Sequence, residues 1–401
     1  MAGIGALAIG YLFSQFYRSF LAVLTPVLGT ELGATKADLS AASGAWFIAF
    51  ALAQFGVGVA LDRWGPRRTA AVLLALGGGG GAFVFASAQS PFAVILAMAL
   101  IGIGCAPVLM AALVVYARRF SPARFAVLAS WTVAFGTLGN VIGAAPLANA
   151  AEAFGWRPVM AGLGVLTILT ALAILVLLRD PEAPEHPTGG NAGFGGFLEL
   201  LRMPVFWAIL PMAALHYTPS AGIRGLWAGP YAADIYGANA LEIGQVTLFM
   251  ALSMAAGAFL YGPLDVALNT RKWIVATGSA ISAATLLLLV LHPAPGIVAS
   301  TAALMVLGVC GGGYGLIMAH GRAFVPAHLT GRGVTLLNFF SIGGVGVMQF
   351  GSGALVSAWP ASEPANAYSA LFALFGGTLL LALLPYLFAK DAPPRPASPS
   401  A

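Results

Sequence analysis

Two arginines stand where an ionised side chain is hard to accommodate. Arg18 and Arg224 each lie inside a long apolar run. If those runs cross a bilayer, a charge at their centre costs at least about 2.5 kcal/mol, and such residues are read as functional. Arg18 is 33 − 18 = 15 residues in from Gly33, and Arg224 is 237 − 224 = 13 residues in from Gly237. At 1.5 Å per residue the depths are about 22 Å and about 20 Å, close to a midplane. All 13 acidic residues fall in loops or at helix ends, so neither guanidinium has a built-in carboxylate. A guanidinium so placed must be hydrated, cradled by carbonyls or neutralised by an anion arriving from outside. Its planar fork of N–H donors suits carboxylate and phosphate oxygens. The chemistry expected of the pair is reversible binding of a small anion.

Other residues could share that site. Tyr11 and Gln15 precede Arg18 on one helical face, and Trp227 and Tyr231 follow Arg224 on a similar one. Aromatic walls with a few polar groups are usual in small-molecule sites, although aromatic residues in apolar segments also serve as packing. Asn140 and Asn338 offer amides to a ligand or to a neighbouring helix. His216 and His320 read as helix-interface residues before proton carriers. Cys105 and Cys310 lie in apolar runs without metal-ligand spacing and read as small hydrophobes. No metal or cofactor is expected. There is no phosphate-binding P-loop, H-E-x-x-H or G-x-S-x-G, so the chain does not read as an enzyme.

The elements that must carry these residues follow from composition. The chain of 401 residues is 60% hydrophobic and 8% charged, with a mean hydropathy of +0.92. A water-soluble core and surface cannot be built from that balance, so the expected fold is an all-α membrane protein. Twelve apolar segments are long enough to cross a bilayer: 4–28, 39–61, 69–88, 92–117, 125–149, 157–178, 204–232, 242–264, 273–291, 296–320, 333–358 and 367–388. They divide into a half at 1–178, a polar linker at 179–203, a second half at 204–389 and a Pro- and Ser-rich tail at 390–401, expected to be disordered. The first segment begins without a basic region or cleavage site and reads as a spanning helix, not a signal peptide. Of the 18 Lys and Arg, only Arg18, Arg224, Lys36 and Arg157 lie away from one set of loops. The other 18 − 4 = 14 mark that side as cytoplasmic and place both chain ends there. The formal charge of +5 is thus spread between apolar runs and does not form a nucleic-acid-binding patch.

The halves are related. Gly33-Ala34-Thr35 with Asp38 returns as Gly237-Ala238-Asn239 with Glu242, and Phe120-Ser121-Pro122-Ala123 returns as Phe324-Val325-Pro326-Ala327, both at an offset of 204. Gly58 before Asp62 returns as Gly262 before Asp265. Duplicated halves of this kind are common in transporters. The stretch Gly58-Val59-Ala60-Leu61-Asp62-Arg63-Trp64-Gly65-Pro66-Arg67-Arg68 resembles the loop motif of the major facilitator superfamily. The resemblance implies two six-helix halves around a central site, alternating access, and a cytoplasmic gate built on Gly58, Asp62, Arg63, Gly65, Arg67 and Arg68. The second copy keeps Asp265 and Arg271 without an arginine directly after the acid. Two family patterns are missing. Met98 stands four residues before Gly102-Ile103-Gly104, where many proton-coupled members have arginine, and no proline follows Gly139 or Gly143 as in drug antiporters. One arginine in the first helix of each half resembles the organophosphate:phosphate antiporters. The expected function is therefore secondary transport of a small organic anion, a carboxylate or phosphate ester, by a monomer in a bacterial inner membrane. Efflux of neutral or hydrophobic compounds is the alternative, and a non-transporting receptor a more distant one.

Overall fold

The computed structural model describes residues 2–181, 195–326 and 329–394; the rest of the expected linker and tail, and the side chain of Asp62, lie outside the described residues. The described chain is helical. Among the described residues nine helices are long and apolar enough to cross a membrane, and counting each of three bent pairs as one span brings the number to twelve. In the first half these are α1 Ala2–Phe16 with α2 Leu21–Leu32, α3 Lys36–Leu61, α4 Arg63–Ala86, α5 Pro91–Arg119, α6 Pro122–Ile142 with α7 Ala145–Phe154, and α8 Trp156–Leu177. The second half opens with α9 Gly195–Arg202, α10 Pro204–Leu215, α11 Thr218–Gly222, a π-turn Ile223–Trp227 and α12 Ala228–Tyr236. It continues with α13 Ala240–Leu268, α14 Lys272–Leu291, α15 Ile297–Gly311 with α16 Tyr314–Arg322, α17 Thr330–Ser357 and α18 Pro364–Tyr386.

The internal repeat is visible in the caps. Gly33 and Gly237 end the first span of each half in the left-handed region, at φ 63° and 67°. Two residues on, Thr35 and Asn239 each open the next helix with a capping box closed by Asp38 and Glu242. Both sites sit 204 residues apart because each half uses the same turn chemistry.

At this end the halves are closed on each other. Gly229 of α12 packs so tightly on α2 that an added Cβ would lie 2.1 Å from the Ala22 carbonyl oxygen. Gly346 and Gly353 of α17 lie against Ile48 and Ser40 of α3. Lys36 bridges to Asp234 at 2.5 Å across the two halves, and the Tyr368 hydroxyl donates to the same carboxylate. The two charged side chains are 35% and 28% exposed, a setting in which ion pairs contribute about 1 kcal/mol or less. Asp234→Asn is therefore expected to lower stability by no more than about 1 kcal/mol in thermal denaturation, with the seal carried by the small residues beneath it. A loss above about 3 kcal/mol would show that the pair behaves as a buried one.

The opposite end shows what the linker and tail do. Gly65, at φ 79°, kinks the chain just inside the start of α4, and an added Cβ there would strike the Asp180 carboxylate. Asp180 accepts from the Arg67 backbone N–H, and the Arg67 guanidinium donates to the Leu175 carbonyl. In the second half Asp391 takes the matching position, accepting from the backbone N–H groups of Arg271 and Lys272 and from Thr270. Arg67 and Arg271 are again 204 apart. Partial burial pushes the Asp391 carboxyl up, but the hydrogen bonds from Thr270, Lys272, Arg271 and Ala392 outweigh it and hold the group below its usual range. Its contribution is therefore present at neutral pH and is lost only as pH falls below about 4. At the start of the expected tail, Asp391 is thus bonded to the start of α14. The linker likewise contains a helix. α9 lies at 99° to the span that follows, with Leu200 buried and Phe197 against Phe55 of α3 at 5.3 Å.

Candidate functional site

Each half's first span is irregular at its arginine. Arg18 occupies the break between α1 and α2, where the axis bends by 52°, and Arg224 lies in the π-turn that interrupts the seventh span. Such turns recur at functional sites because the extra residue frees backbone groups and re-aims side chains. The two irregular segments touch. Gly225 lets the backbone approach within reach of the Arg18 carbonyl oxygen, which lies 3.1 Å from where a Cβ would be.

The arginines share one polar centre. Tyr217 lies near both guanidinia, and the charge of Arg18 acts on Arg224. Tyr11 and Tyr314 also lie near Arg18. The Arg18 guanidinium sits over Trp46 at 5.1 Å and Phe50 at 5.4 Å from the ring centroids. Arg224 is 1% exposed. Among the described residues no carboxylate pairs with either arginine. The Nε of Arg18, the Nε and Nη2 of Arg224 and the indole N–H of Trp46 are buried and have no acceptor among the described residues. Leaving such donors unsatisfied costs about 1–3 kcal/mol each, more when charged.

The sequence-predicted residues divide. Tyr11 and Gln15 join the site: the Gln15 amide donates to the Tyr11 hydroxyl at 2.8 Å, and its carbonyl oxygen is left without a partner. Asn338 reaches it through Tyr314, whose hydroxyl donates to the Asn338 carbonyl oxygen at 2.5 Å. Asn140 is buried in α6 with its carbonyl oxygen unpartnered among the described residues, and no contact ties it to the arginines. Trp227 and Tyr231 are directed elsewhere. Trp227 donates to Gln349 and Ser352 of α17, and the Tyr231 hydroxyl bonds Pro293 and Ser300 within the second half. A regular helix would put them on the Arg224 face, but the π-turn rotates everything after it. Tyr217, Tyr314, Trp46 and Phe50 were not singled out from sequence. Their only signal was aromatic type, which packing residues share.

The gating residues are partly assembled. Asp265 and Arg271 pair at 3.3 Å, and Arg271 also donates to the Ala319 carbonyl, tying α13 and α14 to α16. Gly65 and Arg67 are held by Asp180, while no Cβ neighbour stands within 4 Å of Gly58, so close helix approach is not its role in this state. Arg63 is exposed and Arg68 lies at the same end of α4. A separate cavity of about 400 Å³ opens between α2, α7 and the start of α13, with Glu31, Glu152, Trp156 and Asn239 among its walls. None of the arginine-site residues lines it.

The chain belongs to the Major Facilitator Superfamily, whose family profile matches residues 7–340. This is a family of membrane transporters. Among solved structures it is similar to a bacterial homolog of the human lysosomal transporter Spinster, inward-facing and unoccupied, at 18% identity and a TM-score of 0.75 over 96% of each chain. It is similar to the nucleoside transporter NupG (D323A mutant), at 14% identity and a TM-score of 0.78 over 96% of this chain and 99% of that one. A D-xylose-proton symporter aligns at 15% identity and 0.74 over 96% and 97%. These likenesses show the fold. No match is found among curated proteins.

Proposed function

We propose that the protein is a secondary transporter that carries a small organic anion, a carboxylate or phosphate ester, between the two faces of a bacterial inner membrane. The observation that carries the reading is the group of orphaned donors on Arg18, Arg224 and Trp46, with no carboxylate among the described residues to receive them. An incoming anion supplies the missing acceptors and charge together. Alternating access is supported by the closed seal at the Gly33 and Gly237 end, made of close small-residue contacts that can part as a unit. The 14 basic residues of the opposite loops support a cytoplasmic location for both chain ends and for the Asp265–Arg271 gate.

A second reading draws on one specific contact. The rings of Trp46 and Phe50 already offer Arg18 a favourable face, and a site walled by Tyr11, Tyr217 and Tyr314 would also hold a neutral aromatic compound. Thermal denaturation of the purified protein across phosphate esters, mono- and dicarboxylates and neutral or cationic drugs separates the two. Under the anion reading, a ligand at 100 times its Kd stabilises by about 2.7 kcal/mol, and Arg18→Gln removes the effect. Stabilisation by neutral or cationic compounds alone would overturn it.

A further inference from the structure

Two histidines lie within the spans of the second half, and their surroundings differ. In α16, His320 has both ring nitrogens engaged: Nδ1 with the Tyr386 hydroxyl at 2.7 Å and Nε2 with the Lys390 carbonyl at 2.9 Å. A carbonyl can only accept, so Nε2 carries the proton and Nδ1 accepts from the phenol; a second proton on Nδ1 would require the Tyr386 hydroxyl to turn and accept. His216 is different. It is 4% exposed and sits at the break between α10 and α11, beside Tyr217. Its Nδ1 lies 2.9 Å from the Ser279 hydroxyl of α14, and that hydroxyl donates to the Val275 carbonyl. With the hydroxyl proton on the Val275 carbonyl, Ser279 accepts from Nδ1–H, and in that tautomer Nε2 is a bare acceptor with no partner among the described residues.

The free nitrogen is not in a closed wall. It points at Gly313, in the break between α15 and α16, where an added Cβ would lie 2.9 Å from it. Two span breaks thus meet at this atom. Of the titratable groups packed around it, α13 contributes Tyr261, α15 Cys310 and α16 Tyr314, while α14 contributes only the serine. On its own span Tyr217 is adjacent and Arg224 is eight residues on, about 12 Å along a regular helix. No charged side chain of the described residues acts on it. The Tyr217 ring stands 5.1 Å from Tyr314, and the Tyr217 phenol lies near both arginines.

We propose that His216 is a proton-binding site, taking a proton on Nε2 and so coupling protonation to the exchange between the two access states. In the state described here the atom is buried and unpaired among the described residues, so an imidazolium there favours the alternative state, in which the breaks at 216–217 and 312–313 move and water or substrate reaches it. The added positive charge stands next in the chain to Tyr217, which lies near both arginines. Proton and anion consequently favour each other's binding. This inference rests on alternating access but not on the charge of the cargo.

The test reads the protein without any anion. Spin labels on Ser121→Cys and Arg322→Cys, beyond the ends of α5 and α16, report the distance between the halves in lipid nanodiscs between about pH 5 and pH 8.5, where imidazoles titrate. Cys105 and Cys310 are buried and leave the background low. Acidification is expected to shift the population toward the shorter distance, and H216Q to abolish the shift while H320Q keeps it. If H216Q does not fold, Ser279→Ala removes the acceptor of the Nδ1–H and should lower the midpoint by about one pH unit or more. In 15N spectra of histidine-labelled protein, His216 should be the Nδ1–H tautomer at high pH and become imidazolium on acidification. A distance that ignores pH, or an equal response in H216Q, or a His216 ring still neutral at about pH 5, overturns the proposal. Arg18→Gln reports the anion reading separately, through loss of thermal stabilisation by anions, so either idea can fail alone.

Discussion

Arg224→Met is expected to abolish transport and at the same time make the empty protein more stable. The guanidinium is 1% exposed, carries two nitrogens whose N–H groups find no acceptor among the described residues, and has Arg18 as a like-charged neighbour. Each unsatisfied buried donor costs about 1–3 kcal/mol, and methionine fills a similar length of apolar space without any donor. The ligand-free variant should therefore gain about 1–3 kcal/mol in thermal or denaturant unfolding. Binding runs the other way. A hydrogen bond to a charged group contributes about 1.5–3 kcal/mol, so losing two of them weakens anion affinity by at least about 100-fold. Counterflow in proteoliposomes and thermal shift with the same anion read the two effects together. A destabilised empty variant would mean that Arg224 is satisfied by the protein, and the substrate argument would lose its strongest residue.

Gly229→Val should trap the transporter with its Gly33 and Gly237 end open. In the closed seal an added Cβ would meet the Ala22 carbonyl oxygen at 2.1 Å and the Thr25 hydroxyl at 2.9 Å, and a backbone oxygen cannot step aside. Overpacking of this kind costs about 1–3 kcal/mol. The cost falls only on the state in which α2 and α12 touch, so populations shift by about 5- to 150-fold while the fold of each half is untouched. A cysteine placed at Thr25, buried here, should react with a water-soluble maleimide faster by a similar factor, and transport should fall with it. Unchanged reactivity with normal transport would mean that this contact is not part of the moving seal.

The outcome shows where one sequence stops being legible. Twelve spans, the repeat at an offset of 204 and the caps at Thr35 and Asn239 all rest on local rules: apolar length, turn glycines and side chains that bond their own backbone three residues away. So does the placing of two lone arginines deep in apolar runs, since a charge is conspicuous against such a background. What each arginine meets is not local. Trp46, Phe50, Tyr217 and Tyr314 come from other spans or from across a break, and their distance from Arg18 is set by how helices cross.

Regular helical spacing put Trp227 and Tyr231 beside Arg224, and one π-turn was enough to send them to α17 and to the Ser300 cluster. The same holds for Asp180 and Asp391, which look like ordinary loop acids yet cap the two matching helix starts at Arg67 and Arg271. Residue type and near-neighbour spacing thus determined the spans, their pairing into halves and the presence of two buried positive charges. Only the tertiary structure decided that those charges lie near one another, that among the described residues no carboxylate answers them and that His216 Nε2 finds no partner there, because each depends on contacts between segments distant in the chain.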